Sequence, residues 1–198
     1  REGAGICVGR PLPGVTIDLV GIEDRPIPVL SEARKVKQGE IGEIIVKGPN
    51  VTREYYRNPE ATSLAKILDD LAMPQACDRV QKASKESFAA VDSSPPFWHR
   101  IGDVGYLDNE GRLWFCGRKN HRVETESGQM FSIRCEAIFN RHPDVARSAL
   151  VGVPPHEEKR HGFQTPVMII EPRTGKLPDS PENEKLFKAR LLELASTS

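Results

Sequence analysis

The sequence carries no excess charge of either sign: 28 lysines and arginines stand against 28 aspartates and glutamates, a formal net charge of zero. Such a chain feels no overall electrostatic pull toward nucleic acid or an anionic membrane, so a charged ligand must be held by a local site. Cysteine is scarce too. The four present, Cys7, Cys77, Cys116 and Cys135, are widely spaced, with no CxxC pair and no metal-ligand spacing. That argues against a disulfide framework or a zinc site and reads as reduced thiols in a cytoplasmic protein. No apolar run reaches the length of a membrane span, and the N-terminus lacks the basic-then-apolar pattern of a signal peptide. The expectation is a soluble chain with no transmembrane segment and no nucleic-acid partner. The first residue is not methionine, and the chain closes on a helix-like run, Glu182 to Ala195, followed by Ser196, Thr197 and Ser198. Both ends therefore read as cuts through a larger polypeptide.

What is present is a patterned α+β chain. "GVTIDLV" (Gly14 to Val20) alternates as a half-buried strand, and "GEIGEIIVKGP" places a second strand at Ile41 to Lys47 between glycines. Asn58-Pro59 opens a helix, asparagine suiting the cap and proline the first turn, with Leu64, Ile67, Leu68 and Leu71 on one face. Residues 69–96 read as an insertion, part helix and part loop. Strands follow at Val104 to Leu107 and Arg112 to Cys116, joined by the turn residues Asp108-Asn109-Glu110-Gly111. A helix at Ile133 to Arg141, strands at Arg147 to Val153 and Pro166 to Ile170, and the terminal helix complete the pattern. The order suggests two domains with a boundary near Lys119.

The hairpin "GDVGYLDNEGRLWFCGRK" (Gly102 to Lys119) has a carboxylate at one end and a guanidinium at the other. A carboxylate accepts hydrogen bonds from two vicinal hydroxyls, as on a ribose, and a guanidinium donates to phosphate or ribose oxygens. Asp103 and Arg118 are thus candidates to hold one nucleotide. From spacing alone they are more readily a surface pair flanking a structural hairpin.

Three ordered stretches change the balance: "GEIIVKGPNVTREYYRNPEAT" (Gly42 to Thr62), "WHRIGDVGYLDNEGRLWFCGRKNHRV" (Trp98 to Val123) and "EAIFNRHPDVARSALVGVPPHEEKRHGFQTPVMII" (Glu136 to Ile170). Together they resemble the adenylate-forming superfamily of acyl- and aryl-CoA ligases, luciferases and peptide-synthetase adenylation domains. The resemblance implies the end of a large N-terminal domain (its β-barrel subdomain) over residues 1–119. The beginning of a small, mobile α+β C-terminal domain would follow over 120–198. It further implies that Asp103 binds the ribose hydroxyls of ATP, that Arg118 contacts the nucleotide, and that Asn120 is the hinge about which the small domain rotates. Lys119, beside the hinge, either contacts phosphate or is simply exposed. ATP and Mg2+ are the implied cofactors, with CoA added if the product is a thioester. The implied partner is a small-molecule acyl substrate, with a multi-enzyme assembly as a further possibility.

The departures are informative. Ile101 stands where the family usually has threonine, and Asn120 where aspartate or lysine is commoner. "HRVETESGQMFSIRCE" keeps Gly128 and Glu136 but shifts the spacing between them. In CoA ligases that loop lines the pantetheine channel, so its divergence weakens the case for a thioester. With "FCGRK" and "LVGV" it resembles the β-lactone synthetases of long-chain olefin biosynthesis, in which the hydroxyl of a β-hydroxy acid displaces AMP. The family's phosphate loop is expected before Arg1 and its catalytic lysine beyond Ser198, so the fragment alone is expected to be inactive. The rival readings are a fatty-acyl-CoA ligase and a non-catalytic nucleotide-binding module.

Other features have plainer readings. The histidines of "HEEKRH" (His156 to His161) are five apart, wrong for HExxH, and suit a solvated loop. Cys116 lacks a nearby base and reads as a small buried side chain. Tyr55 and Tyr56 read as packing residues, and Arg122 and Arg134 as solvated charges.

Overall fold

The structure, a computed structural model, describes residues 4–70, 95–154, 162–176 and 178–197. In chain order its elements are β1 (Ile6–Gly9), β2 (Thr16–Val20), β3 (Gly42–Lys47), α1 (Pro59–Ala65), β4 (Lys66–Leu68), β5 (Phe97–Leu107), β6 (Leu113–Arg118), β7 (Val123–Thr125), β8 (Gly128–Met130), α2 (Ser132–Phe139), β9 (Val145–Val153), β10 (Thr165–Pro172) and α3 (Pro181–Ser196). The α+β class expected from the sequence is the class observed. Most of the expected insertion and all of "HEEKRH" lie outside the described residues.

The chain forms two compact units. One comprises Arg10–Gly102; the other joins Arg1–Gly9 to Asp103–Ser198. The boundary expected near Lys119 falls inside the second. Strand β5 begins in one unit and ends in the other.

In the unit Arg10–Gly102, β2 and β3 pair antiparallel from Thr16↔Lys47 to Val20↔Glu43. Their apolar residues join Ile27, Ala33, Ile67 and Trp98 in one core. Ile27, Ile45 and Ile67 are fully enclosed, and each such side chain contributes about 1.5–3 kcal/mol by leaving water. Helix α1 starts as the sequence predicts: Asn58 Oδ1 accepts the Ala61 amide at 3.0 Å and Pro59 occupies the first turn. Its end is a correction. The helix stops at Ala65, and Ile67 and Leu68 lie in β4, paired with Trp98 and Phe97 of β5. Burying Ile67 through strand pairing outweighs continuing the helical face, a tertiary override of local propensity. Leu71 lies outside the described residues.

Arg100 of β5 is 4 % exposed. Its guanidinium donates to the carbonyls of Arg25 at 2.8 Å, Leu64 at 2.9 Å and Glu23, and to Glu43 Oε2 on β3 at 2.7 Å. One side chain therefore ties the loop before β3, the end of α1 and two strands together.

In the other unit, β6 lies between β1 and the second half of β5. Helix α2 packs on β6 and on the long hairpin β9–β10, whose register runs from Thr165↔Val153 to Pro172↔Val145. Helix α3 is capped by Ser180, whose Oγ accepts the Asn183 amide at 3.2 Å, and carries Glu182 and Glu184 in the first turn, where the helix dipole favours them. The stretch "RVETESGQM", read from the sequence as a variant loop, is the small hairpin β7–β8.

Removing one partner of a buried ion pair strands the other, at a cost of about 3–5 kcal/mol. Glu43→Ala is accordingly expected to lower stability by about that amount, with Glu43→Gln losing less because it keeps an acceptor for Arg100. Urea unfolding followed by tryptophan fluorescence measures both.

Candidate functional site

The hairpin β5–β6 is fixed first at its closed end. Asp108 Oδ1 accepts the amides of Glu110 and Arg112, each at 2.9 Å, and Oδ2 accepts Arg112 Nε at 2.8 Å and Trp114 Nε1 at 2.9 Å. Desolvation opposes ionisation of this carboxyl, but the donors together outweigh it and hold the group well below the usual carboxylate range. Tyr106 and Trp114 stack across the strands, centroids 6.0 Å apart.

From that end the register runs Leu107↔Leu113, Tyr106↔Trp114, Gly105↔Phe115, then shifts by one to Val104↔Gly117 and Asp103↔Arg118. Cys116 is the extra residue of a β-bulge. Because side chains alternate along a strand, the shift decides which residue faces Asp103. Without it the partner would be Gly117; with it the partner is Arg118. Cys116 itself is fully buried, and burial pushes its thiol up to about 11, far from a nucleophilic thiolate.

Arg118 Nη1 lies 2.9 Å from Asp103 Oδ1. The contact is an ion pair whose direction falls short of a hydrogen bond: Asp103 Oδ1 is buried and receives none. Burial raises the Asp103 carboxyl above its ordinary value, and the Arg118 charge and contact only partly offset it. The pair is thus a half-sheltered acceptor with unmet hydrogen-bonding capacity, beside an exposed guanidinium.

The bulge depends on Gly117. Its φ is +137°, and a Cβ there would stand 2.7 Å from Ser132 Oγ at the start of α2. Both the backbone conformation and the close approach require glycine. The chain then enters a 3-10 turn, Lys119–His121. Arg122 closes it, its Nη1 donating to the Lys119 carbonyl at 2.9 Å while its Nε pairs with Glu124 at 2.6 Å. Arg122 is therefore no solvated charge, as the sequence suggested, but a brace for the turn. Lys119 is half-buried and Asn120 is exposed at its middle. Glu124 is held in turn by Gln129 Nε2 at 2.9 Å, and its amide donates to Gln164 Oε1 at 3.1 Å. Asp103 and Arg118 are brought together as expected; Asn120 and Lys119 follow directly in the chain. Gly117, Arg122 and the bulge were not anticipated. The glycine between Cys116 and Arg118 was the one available signal.

This fold is that of the C-terminal part of the adenylate-forming enzymes. No family model matches the chain, but individual proteins do. It is 40 % identical over 189 residues to an olefin β-lactone synthetase of Stenotrophomonas maltophilia, covering 96 % of this chain and 30 % of that protein. An olefin β-lactone synthetase of Xanthomonas campestris is 42 % identical over 175 residues, 88 % of this chain and 27 % of that protein. A 2-succinylbenzoate–CoA ligase of Geobacillus kaustophilus is 28 % identical over 82 % of this chain and 27 % of its own length. Among solved structures, the amide bond synthetase McbA of Marinactinospora thermotolerans superposes with a TM-score of 0.56 at 26 % identity, covering 95 % of this chain and 30 % of that one. ATP-bound MatB of Rhodopseudomonas palustris shares the fold, with a TM-score of 0.62 at 24 % identity over 97 % of this chain and 29 % of its own. The chain thus spans under a third of the length of the relatives it matches.

Two outcomes follow from the geometry. Gly117→Ala is expected to destabilise by about 1–3 kcal/mol through strained backbone and the Ser132 contact, and Ser132→Ala on that background to restore only part, because φ is unchanged. Since the folded carboxyl of Asp103 titrates above the ordinary 3.8, its contribution is favourable below that pH and is lost as pH rises through the shifted value. Asp103→Asn should remove this loss, leaving the protein no less stable at neutral pH; urea midpoints measured against pH test it.

Proposed function

We propose that the chain is the nucleotide-gripping and hinge portion of an ATP-dependent, AMP-forming enzyme that activates a fatty, β-hydroxy acid and closes it to a β-lactone. The observation that carries the reading is the cross-strand pair: a buried, under-satisfied Asp103 oxygen set by the bulge opposite Arg118. Ribose hydroxyls are donors of the kind that oxygen lacks, so the residues fit a nucleotide. The similarity to two olefin β-lactone synthetases supports the branch.

In this reading residues 1–119 end the large adenylation domain and residues 120–198 begin the small mobile one. ATP supplies the electrophilic α-phosphate that the substrate carboxylate attacks, releasing pyrophosphate. Asp103 fixes the ribose and Arg118 neutralises nearby negative charge, so that binding energy is spent on orientation. Asn120 and Lys119 form the pivot, and Arg122 with Glu124 gives it a definite resting turn. The acyl-adenylate is then attacked by the substrate's own hydroxyl, or by the thiol of CoA in the alternative. Among the described residues no group of three His, Cys, Asp or Glu side chains is placed to hold a metal. No described helix is long and apolar enough to cross a membrane. The described cysteines are free thiols, in keeping with a reducing, cytoplasmic setting.

The test uses the full-length protein with ATP and a long-chain β-hydroxy acid, with and without CoA, following AMP release and product mass. A product lighter than the acid by one water, formed without CoA, is expected. AMP release only with CoA, together with a thioester mass, makes the protein an acyl-CoA ligase. ATP binding without AMP release under either condition makes it a nucleotide-binding module. Asp103→Ala is expected to raise the KM for ATP by about 10- to 100-fold, the worth of one or two charge-assisted hydrogen bonds, with the fold intact by circular dichroism. Asn120→Pro, which restricts φ at the pivot, should slow product formation more than acyl-adenylate formation, separable by single-turnover kinetics.

A further inference from the structure

The unit Arg10–Gly102 holds a lysine in an unusual setting. Lys66 Nζ lies 3.0 Å from His99 Nδ1, directly across the β4–β5 pairing, and donates to the Thr52 carbonyl. Its ammonium lies over two rings, 5.2 Å from the centroid of Phe97 and 5.8 Å from that of Tyr55. Tyr55 also packs against His99, centroids 6.2 Å apart. Among the described residues no carboxylate pairs with this lysine. It is half-buried rather than enclosed, so a small reagent can reach it.

Sequence accounts for the arrangement locally. The halt of α1 at Ala65 turns Lys66 into the first residue of a strand, opposite His99. Had the helix continued, the two would not be cross-strand partners. With its hydrogen on Nε2 the ring offers Nδ1 to Lys66 as an acceptor, and once Nδ1 takes up a proton it can donate to the Ala65 carbonyl 3.2 Å away. Desolvation lowers the lysine's affinity for its proton. The histidine is lowered as well, by desolvation first and by the Lys66 charge second, with the Ala65 carbonyl opposing. Both shifts favour the free amine and the neutral imidazole.

We propose that Lys66 is a nucleophilic lysine that takes an acyl group from an activated acyl donor, with His99 receiving the amine proton. The donor class is a mixed acyl–phosphate anhydride. The Nζ lone pair forms the new C–N bond to the acyl carbon, the C–O bond to phosphorus breaks, and the phosphate leaves with that electron pair. The proton from Nζ passes to His99 Nδ1 and then to water. The product is a neutral amide that no longer carries the charge held over Tyr55 and Phe97. Anhydrides of this class are what the proposed reaction generates, but the cluster shares no residue with the Asp103–Arg118 pair and stands whether or not that reading holds.

The experiment treats the full-length protein with limiting acetyl phosphate at neutral pH and maps acetyl-lysines over time by peptide mass spectrometry. Lys66 is expected to be acetylated about fivefold faster than the exposed Lys35, since each unit of lowered amine pKa gives up to tenfold more free amine, partly offset by weaker nucleophilicity. His99→Gln should bring Lys66 down to the rate of Lys35, and Lys66→Arg should abolish the fast phase while keeping a cation over the rings. Acetylation of Lys66 no faster than Lys35 in the unaltered protein overturns the proposal, as does an undiminished rate in folded His99→Gln.

Discussion

The buried pair Arg100–Glu43 is the contact on which the unit Arg10–Gly102 depends. Its net contribution to stability is modest, because desolvating two charges consumes most of what their attraction returns. What it provides is register. A one-residue slip of β5 against β3 would turn Arg100 to the opposite face and leave Glu43 charged and enclosed, a far costlier state than the native one. The three carbonyls that share the guanidinium extend the same logic to the loop before β3 and to the end of α1. The core of isoleucines around Ile45 and Ile67 supplies the larger share of the burial energy, but apolar contacts alone tolerate sliding.

At the other end of β5 the constraint has a different origin. The Asp108 turn anchors the hairpin's closed end with four donors on one carboxylate, and the bulge at Cys116 then resets the alternation before the open end is reached. Asp103 is left as a carboxylate whose folded environment favours neither full solvation nor full pairing. Such strain is tolerated where a ligand can relieve it, and a nucleotide's hydroxyls offer the missing donors. The braced turn that follows, with Arg122 across Lys119 and Glu124, gives the chain a definite shape at the point where a pivot is proposed.

Much of this was legible in the sequence because it rests on local signals. Asn58-Pro59 announced a capped helix, Asp108 to Gly111 announced a turn, and the run Glu182 to Ala195 announced the last helix. Alternation located β2, flanking glycines located β3, and β9 and β10 were expected to within a few residues of where they lie. The failures arise where a residue's surroundings, not its place in a local pattern, decide its role. The face containing Leu64, Ile67 and Leu68 looks helical in isolation, and only pairing with β5 makes the last two a strand. Arg122 looks solvated until Glu124 and the Lys119 carbonyl are set beside it. Tyr56 reads as a packing residue but stands 83 % exposed. The pairing of Asp103 with Arg118 was anticipated from their places at the hairpin ends. The bulge that produces it was not, since a count of residues along two strands does not reveal an extra one.

Gly117 has no side chain to offer a substrate, yet it is pinned twice, by its backbone angle and by the hydroxyl of Ser132. In a deep mutational scan it would therefore behave like a residue of the reaction centre, rejecting every replacement, while replacing Asp103 would have little effect on folding yield. A screen scored by function alone could not tell the two apart. One scored in parallel for abundance would sort them at once, Gly117 falling with the fold and Asp103, in its proposed role, remaining abundant but silent.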